Sequence, residues 1–339
     1  MPPKAIRRPV TVTTWLVLST ACALASPLLL ALARVIGALT GRRQPWVIAR
    51  LVVAYFVHEL LALIALGVLW VMAGLGRRID SPRSQRRHWR LVGWFFGSLA
   101  DIGRRTLEID VQADPEPEAL RALQSDDPLI VFSRHAGPGD TIFIVDELLS
   151  RFHRRPSVAF KQTIALDPSV DLMAHRLPQA MLDTSDREEC EAQITELTAK
   201  LGRRGTFLLF PEGGNFTPER RRSALQRLWR KGNRRAAEQA ERMTHVMPPQ
   251  PGGALAALSA ARDIDVVFAA HTGLGLAAYP SQFWRDMPIG RTLHTRMWLV
   301  PAADIPTSDE DRVKWLYDWW ERIDRWIAEV ADPHERVAR

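Results

Sequence analysis

Cysteine is nearly absent: Cys22 and Cys190 are the only two in 339 residues. With one in an apolar run and the other in a predicted helix, they cannot build a disulfide framework, which agrees with a reducing compartment. No G-x-S-x-G stretch occurs, so a nucleophile elbow of the hydrolase kind is excluded. Nine histidines lie scattered, and His58-Glu59 is not followed by the second histidine of a zinc helix, so no metal-ligand set emerges. Internal repeats and low-complexity tracts are also missing, which removes solenoids and arrays. A content of 47% hydrophobic and 24% charged residues excludes a disordered chain.

What is present is an uneven charge. The formal charge of +7 suggests nucleic acid at first sight. Through Asp110, however, 15 basic residues face 5 acidic ones, and the remaining residues carry 30 basic and 33 acidic. The basic third is also the apolar third. Residues 10–36 hold one charge, Arg34, and as a helix would be about 40 Å long against a hydrocarbon core of about 30 Å. Pro27 offers a place to bend. Residues 51–75 form a second such run, with His58 and Glu59 in its first half. An ionised glutamate costs about 2.5–3.5 kcal/mol at a membrane helix centre, so Glu59 is expected at the interface, against another helix, or protonated.

Two membrane helices, 10–36 and 51–75, therefore form a predicted hairpin over residues 1–76. A cleaved leader is the competing reading of the first, from Lys4, Arg7, Arg8 and the Ala23-Leu24-Ala25 site, but the apolar run continues for eleven residues past Ala25. Positive flanks at 4–8 and 77–90 place both hairpin ends, and the domain after them, on the cytoplasmic side of the cell membrane. Residues 77–105 alternate Arg77, Arg78, Arg83, Arg86, Arg87 and Arg90 with Trp89, Leu91, Val92, Trp94, Phe95 and Phe96. That pattern predicts a basic amphipathic helix in the headgroup layer, attracting anionic lipids, with a packed helix of the main domain as the alternative. Nucleic-acid binding fares worst, since these arginines adjoin the apolar spans.

From residue 106 to 339 the periodicity is that of an α/β domain. Strand-length apolar runs occur at 107–111, 129–132, 158–160, 180–182, 206–210, 266–270 and 297–300. Helix-length segments lie at 141–152, 187–201, 219–242 and 309–330. Their alternation predicts a mixed, mostly parallel sheet flanked by helices. Residues 113–118, reading ADPEPE, look like an acidic linker after the first strand. Trp315, Trp319, Trp320, Ile323, Trp326 and Ile327 make a stripe at spacings of three and four, read as core packing.

The chemistry sits at strand ends. The strand at 129–132 runs into SRHAGPGD, so His135 and Asp140 flank a turn of Gly137, Pro138 and Gly139. Such a turn brings the carboxylate to the imidazole, where it orients the ring and stabilises the imidazolium. Without a serine or cysteine partner, the nucleophile has to come from the substrate. A second strand runs into Phe210-Pro211-Glu212-Gly213-Gly214-Asn215, ahead of Arg220, Arg221 and Arg222, and Pro248-Pro249-Gln250-Pro251-Gly252-Gly253 precedes a third strand at Asp265. His271 follows that strand and is read as an ordinary loop histidine, though within reach of the site.

Taken together, these blocks resemble the glycerolipid acyltransferases of the lysophosphatidic acid acyltransferase family. His135 to Asp140 matches its H-x-x-x-x-D motif, Phe210–Gly213 its F-P-E-G motif, and PPQPGG followed by DVVF its P-R-x-x-G and D-V region, over about residues 107–300. The resemblance implies a membrane-bound O-acyltransferase that moves an acyl chain from acyl-CoA or acyl carrier protein, as co-substrate, to the free hydroxyl of a lysophospholipid such as 1-acylglycerol-3-phosphate. It needs no metal or bound cofactor. His135 would be the general base and Asp140 its orienter. Glu212, Gly213 and Gly214 would support the acceptor pocket, Glu212 being alternatively a cap of the arginine-rich helix.

Three departures from the family pattern stand out. Arg134 replaces the usual Asn, Gly214-Asn215 the usual Thr-Arg, and Leu182-Asp183-Thr184 a block that ends in Asp-Arg. The missing arginines are of the kind that grip a phosphate, and Arg134, Lys161, Arg176, Arg220 or Arg221 would have to replace them. If none does, a different head group, or a catalytically altered lipid-binding scaffold of the same fold, is the alternative.

Overall fold

The computed structural model describes residues 2–137, 139–183, 185–274, 284 and 287–331; Pro138, Thr184 and the C-terminal eight residues lie outside them. Among the described residues the order is α1 (Lys4–Thr40), α2 (Gln44–Met72), α3 (Pro82–Leu107), β1 (Asp110–Pro115), α4 (Pro117–Gln124), β2 (Leu129–Ser133) and α5 (Asp140–Asp146). There follow β3 (Arg155–Lys161), α6 (Pro168–Arg176), β4 (Ala180–Leu182), α7 (Arg187–Ala199) and β5 (Gly205–Leu209). The chain ends with α8 (Pro218–Arg230), α9 (Arg234–Arg242), α10 (Pro251–Ala260), β6 (Val266–Thr272), β7 (Thr292–Val300) and α11 (Asp309–Val330). These elements form two compact units, residues 1–108 with 159–186 and residues 109–158 with 187–339.

In the first unit, α1 and α2 pack along each other and both are long and apolar enough to cross a membrane. α1 exceeds the expected span at both ends and runs through Pro27. Proline lacks the N–H that would bond to the Ala23 carbonyl, and the Ser26 hydroxyl donates to that oxygen instead, at 2.8 Å. Gly41, at φ 66°, closes the helix in the left-handed conformation. Leu24 and Leu28 on α1 are 79% and 71% exposed.

Polar groups of α1 and α2 meet α6. Glu59 is fully buried, and its Oε1 accepts the Ser169 N–H at 3.2 Å. Tyr55 donates to the Asp167 carboxylate. Asp171 receives Arg7 at 3.0 Å and Arg8 at 2.8 Å, with His175 Nδ1 3.2 Å away. Burial opposes the Asp171 charge, but hydrogen bonds from His175, Arg8 and Arg7 hold its carboxyl well below the usual range. Two of the three N-terminal positive charges are thus paired inside the unit. α3 begins at a Ser81 cap and buries Leu91, Val92 and Phe95, while Trp94 stacks on His58 at 5.2 Å. Its apolar face packs on protein, and Arg83, Arg86, Arg87 and Arg90 stay exposed.

The second unit holds a sheet ordered β1-β7-β6-β2-β5-β3. Every pairing is parallel except β6 with β7. β2, β5 and β6 are apolar and buried almost throughout, as strands covered on both faces must be. α11 covers β6: Trp319 stacks on Phe268 at 4.4 Å, and Trp320 and Ile323 are fully buried. The tryptophan stripe is core packing, as its spacing suggests.

α2 and α3 also depart from the expected 51–75 and 77–105, and three further assignments change. Leu107 ends α3, so β1 starts at Asp110. ADPEPE is no linker: residues 113–115 finish β1 in register with Thr295–Met297, and Pro117 opens α4. Segment 219–242 is two helices, parted at Gly232, whose φ of 70° suits glycine rather than a helix interior.

Candidate active site

β2 pairs with β5 on one side and β6 on the other, with Phe132 opposite both Leu209 and Phe268. Their carboxyl ends therefore emerge side by side, the usual place for ligands in parallel sheets. β2 delivers His135, β5 delivers Pro211–Thr217, and β6 carries His271 as its penultimate residue.

Asp140 opens α5, and its Oδ2 accepts the backbone N–H groups of Ala136 and Gly137. The turn thus folds onto its own carboxylate, whose side chain is 2% exposed. His135 Nδ1 stands 3.5 Å from the same oxygen, a separation loose enough to tighten when substrate binds. The imidazole lies against the Phe210 ring, centroids 4.6 Å apart, and remains partly open to solvent. His271 Nε2 approaches the same Oδ2 at 3.4 Å and the Arg134 carbonyl at 3.3 Å. Burial works against the Asp140 charge, but the His271 charge and hydrogen bonds from both imidazoles outweigh it, holding the carboxyl far below the usual range. The carboxylate is accordingly ionised and shared by two histidines. With Nδ1 turned to Asp140, His135 Nε2 is the nitrogen left to take a proton.

Glu212 is 1% exposed and touches backbone. Oε1 accepts the His135 N–H and Oε2 the Met247 N–H, each at 3.1 Å. Burial pushes its carboxyl up to about 7, against the pull of the Arg134 guanidinium and of both N–H donors. The Phe216 N–H bonds to the His135 carbonyl at 3.1 Å, so both backbone groups of His135 are held by the Glu212 loop. The helix cap weighed for Glu212 is instead Thr217, whose hydroxyl accepts the Arg220 N–H. Gly213 has φ 67°, and a Cβ there would lie 2.5 Å from the Gln250 amide nitrogen, which donates to the Glu212 carbonyl. Gly214 continues this loop.

Of the arginines proposed for a phosphate, Arg134, Arg176 and Arg221 are committed elsewhere. Arg134, 3% exposed, donates to the carbonyls of His271 and His245. Arg221 donates to Met243, Ala240 and Glu241 carbonyls at the end of α9. In the other unit Arg176 donates to Leu66 and meets His88 Nε2, and Lys161 is the exposed last residue of β3. Arg220 is exposed, with one bond to the Asn215 carbonyl. Thr184 of the altered third block lies outside the described residues. His271, read from the sequence as an ordinary loop histidine within reach of the site, is instead on β6 and meets Asp140; its position at a strand end was the one signal.

Residues 115–265 match a family model described as Acyltransferase. No curated protein matches the chain. Among solved structures it is similar to the crystal structure of the 1-acyl-sn-glycerophosphate (LPA) acyltransferase PlsC from Thermotoga maritima. Identity is 13%, with 80% of this chain and 97% of that chain covered and a TM-score of 0.44. The segment that matches the Acyltransferase model is the one that holds His135, Asp140 and Glu212.

Proposed function

We propose that this protein is a membrane-anchored O-acyltransferase that moves an acyl chain from an acyl thioester to the free hydroxyl of a lysophospholipid. The observation that carries the reading is the half-open His135 held by an ionised, buried Asp140 at the carboxyl ends of β2, β5 and β6. His135 Nε2 takes the proton of the acceptor hydroxyl as its oxygen attacks the thioester carbonyl. Collapse of the tetrahedral intermediate breaks the carbon–sulfur bond, and the imidazolium returns the proton to the departing thiolate. Asp140 stays ionised throughout. Donor and acceptor are both substrates, whether the thioester is borne by coenzyme A or by a carrier protein.

Membrane attachment rests on α1 and α2, whose exposed leucines need an apolar solvent. The exposed arginine row of α3 suits anionic headgroups on the cytoplasmic face. Arg134 and Arg221 are bonded to backbone carbonyls, so of the arginines weighed in this unit Arg220 is the exposed one that would meet an acceptor phosphate. Purified protein incubated with acyl-CoA and a panel of lysolipids, with products read by mass spectrometry, should yield diacyl lipid. His135→Ala should lower the rate by about 10²–10⁴-fold while the fold persists. Undiminished turnover by His135→Ala would defeat the mechanism, and no turnover by the unaltered protein with any acceptor would favour the scaffold reading.

A further inference from the structure

His271 lies six residues beyond the matched acyltransferase segment, on a strand rather than in the motif loops. It nonetheless reaches the Asp140 oxygen that faces His135. We infer that His271 is a positioning residue for the transfer reaction: its Nε2–H, shared between Asp140 Oδ2 and the Arg134 carbonyl, fixes the carboxylate and the backbone on which His135 turns. The inference rests on the function proposed above.

Three features support it. The short reach of His271 couples the catalytic turn to the rigid centre of the sheet, because β6 pairs with β2 through Ser133↔Ala269 just before both histidines. The other groups that meet Asp140 among the described residues, the Ala136 and Gly137 N–H groups and the His135 ring, belong to its own turn and would move with it. Arg134 closes the loop in the other direction: its guanidinium donates to the His271 carbonyl while the His271 ring meets the Arg134 carbonyl. Residues 134 and 271 thus clasp each other on either side of the strand pairing. Nothing between them needs to touch the acceptor or the donor.

A residue acting in this way alters the reactive geometry and leaves substrate binding alone. Glutamine can present its side-chain N–H where His271 presents Nε2–H, whereas alanine cannot. The expected result is that His271→Ala lowers kcat by about 10–100-fold, with KM for acyl-CoA and lysolipid within about 2-fold of the unaltered protein, and that His271→Gln restores most of the loss. Circular dichroism and thermal melting identify folded protein. Unchanged kcat in His271→Ala, equal losses in Ala and Gln variants that both fold, or a loss confined to KM would each overturn the inference. Should His271→Ala fail to fold, His271→Gln decides alone: near-normal kcat upholds the inference and a large loss in folded protein overturns it. His135→Ala, run alongside, separates the two levels. If it retains activity the functional reading fails; if it is inactive while His271→Ala is normal, only the positioning role fails.

Discussion

The buried Glu212 offers a test in which two opposing effects have different pH dependence. In Glu212→Gln one acceptor oxygen becomes an amide nitrogen. Either the His135 N–H or the Met247 N–H then faces a donor, and losing a buried acceptor costs about 1–3 kcal/mol. The carboxylate carries its own cost, because burial raises its folded pKa from 4.5 to about 7. The folded state therefore binds a proton more tightly than the unfolded chain does. Stability from this group is fully present below pH 4.5 and is lost as pH rises through about 7, a loss of roughly 3 kcal/mol by pH 8. Glutamine does not titrate, so the pH dependence of the difference between the two proteins reports the Glu212 carboxyl. Thermal unfolding at pH 5 and pH 8, in one detergent at one ionic strength, should show the native protein melting higher at pH 5. That lead should shrink or reverse at pH 8, a relative change of about 6–12 °C. A difference that stays constant, or widens in favour of glutamate as pH rises, refutes the reasoning.

Two further outcomes follow from buried contacts. Asp171→Asn leaves Arg7 and Arg8 without a counter-charge and should destabilise the first unit by about 3–5 kcal/mol, read as a lower melting temperature and faster proteolysis near the N-terminus. Because the Asp171 carboxyl is held below its usual range, its contribution is present above that range and lost as pH falls, so the variant's melting should respond less to acid than the native protein's. Gly213→Ala forces a Cβ into the left-handed region and onto the Gln250 amide; a cost of about 1–2 kcal/mol and a lower kcat are expected from melting and acyl-transfer assays.

The sheet was legible because its central strands are short apolar runs bounded by glycine, proline and charge, and buried strands leave little else to read. The HxxxxD and FPEG blocks were legible because each is local: a turn folding on its own Asp140, a glycine with positive φ at 213. What was hidden depends on chain segments far apart. Asp140 and His271 are joined by the pairing of β2 with β6, and no spacing in the sequence announces it. Glu212 and Arg134 carry charges that pattern reading assigns to substrate, yet their partners are backbone N–H and carbonyl groups, which every residue possesses and which no composition reveals. Glu59 was expected at the interface, against another helix, or protonated; it is buried, and its partner, the Ser169 N–H, is 110 residues away.

The capture of Arg7 and Arg8 by Asp171 also has an order in time. The acceptor lies 164 residues after Arg7, and at synthesis rates of about 5–20 residues per second it emerges roughly 8–30 s later. Until then Arg7 and Arg8 lack this partner, and on the membrane-anchored reading proposed above their charges would hold the N-terminus on its own side of the membrane while the two apolar helices insert. Once α6 has been made, the same charges become an internal latch. One pair of side chains would thus act first as an orientation signal and later as a structural fastening, with the ribosome setting the moment of exchange.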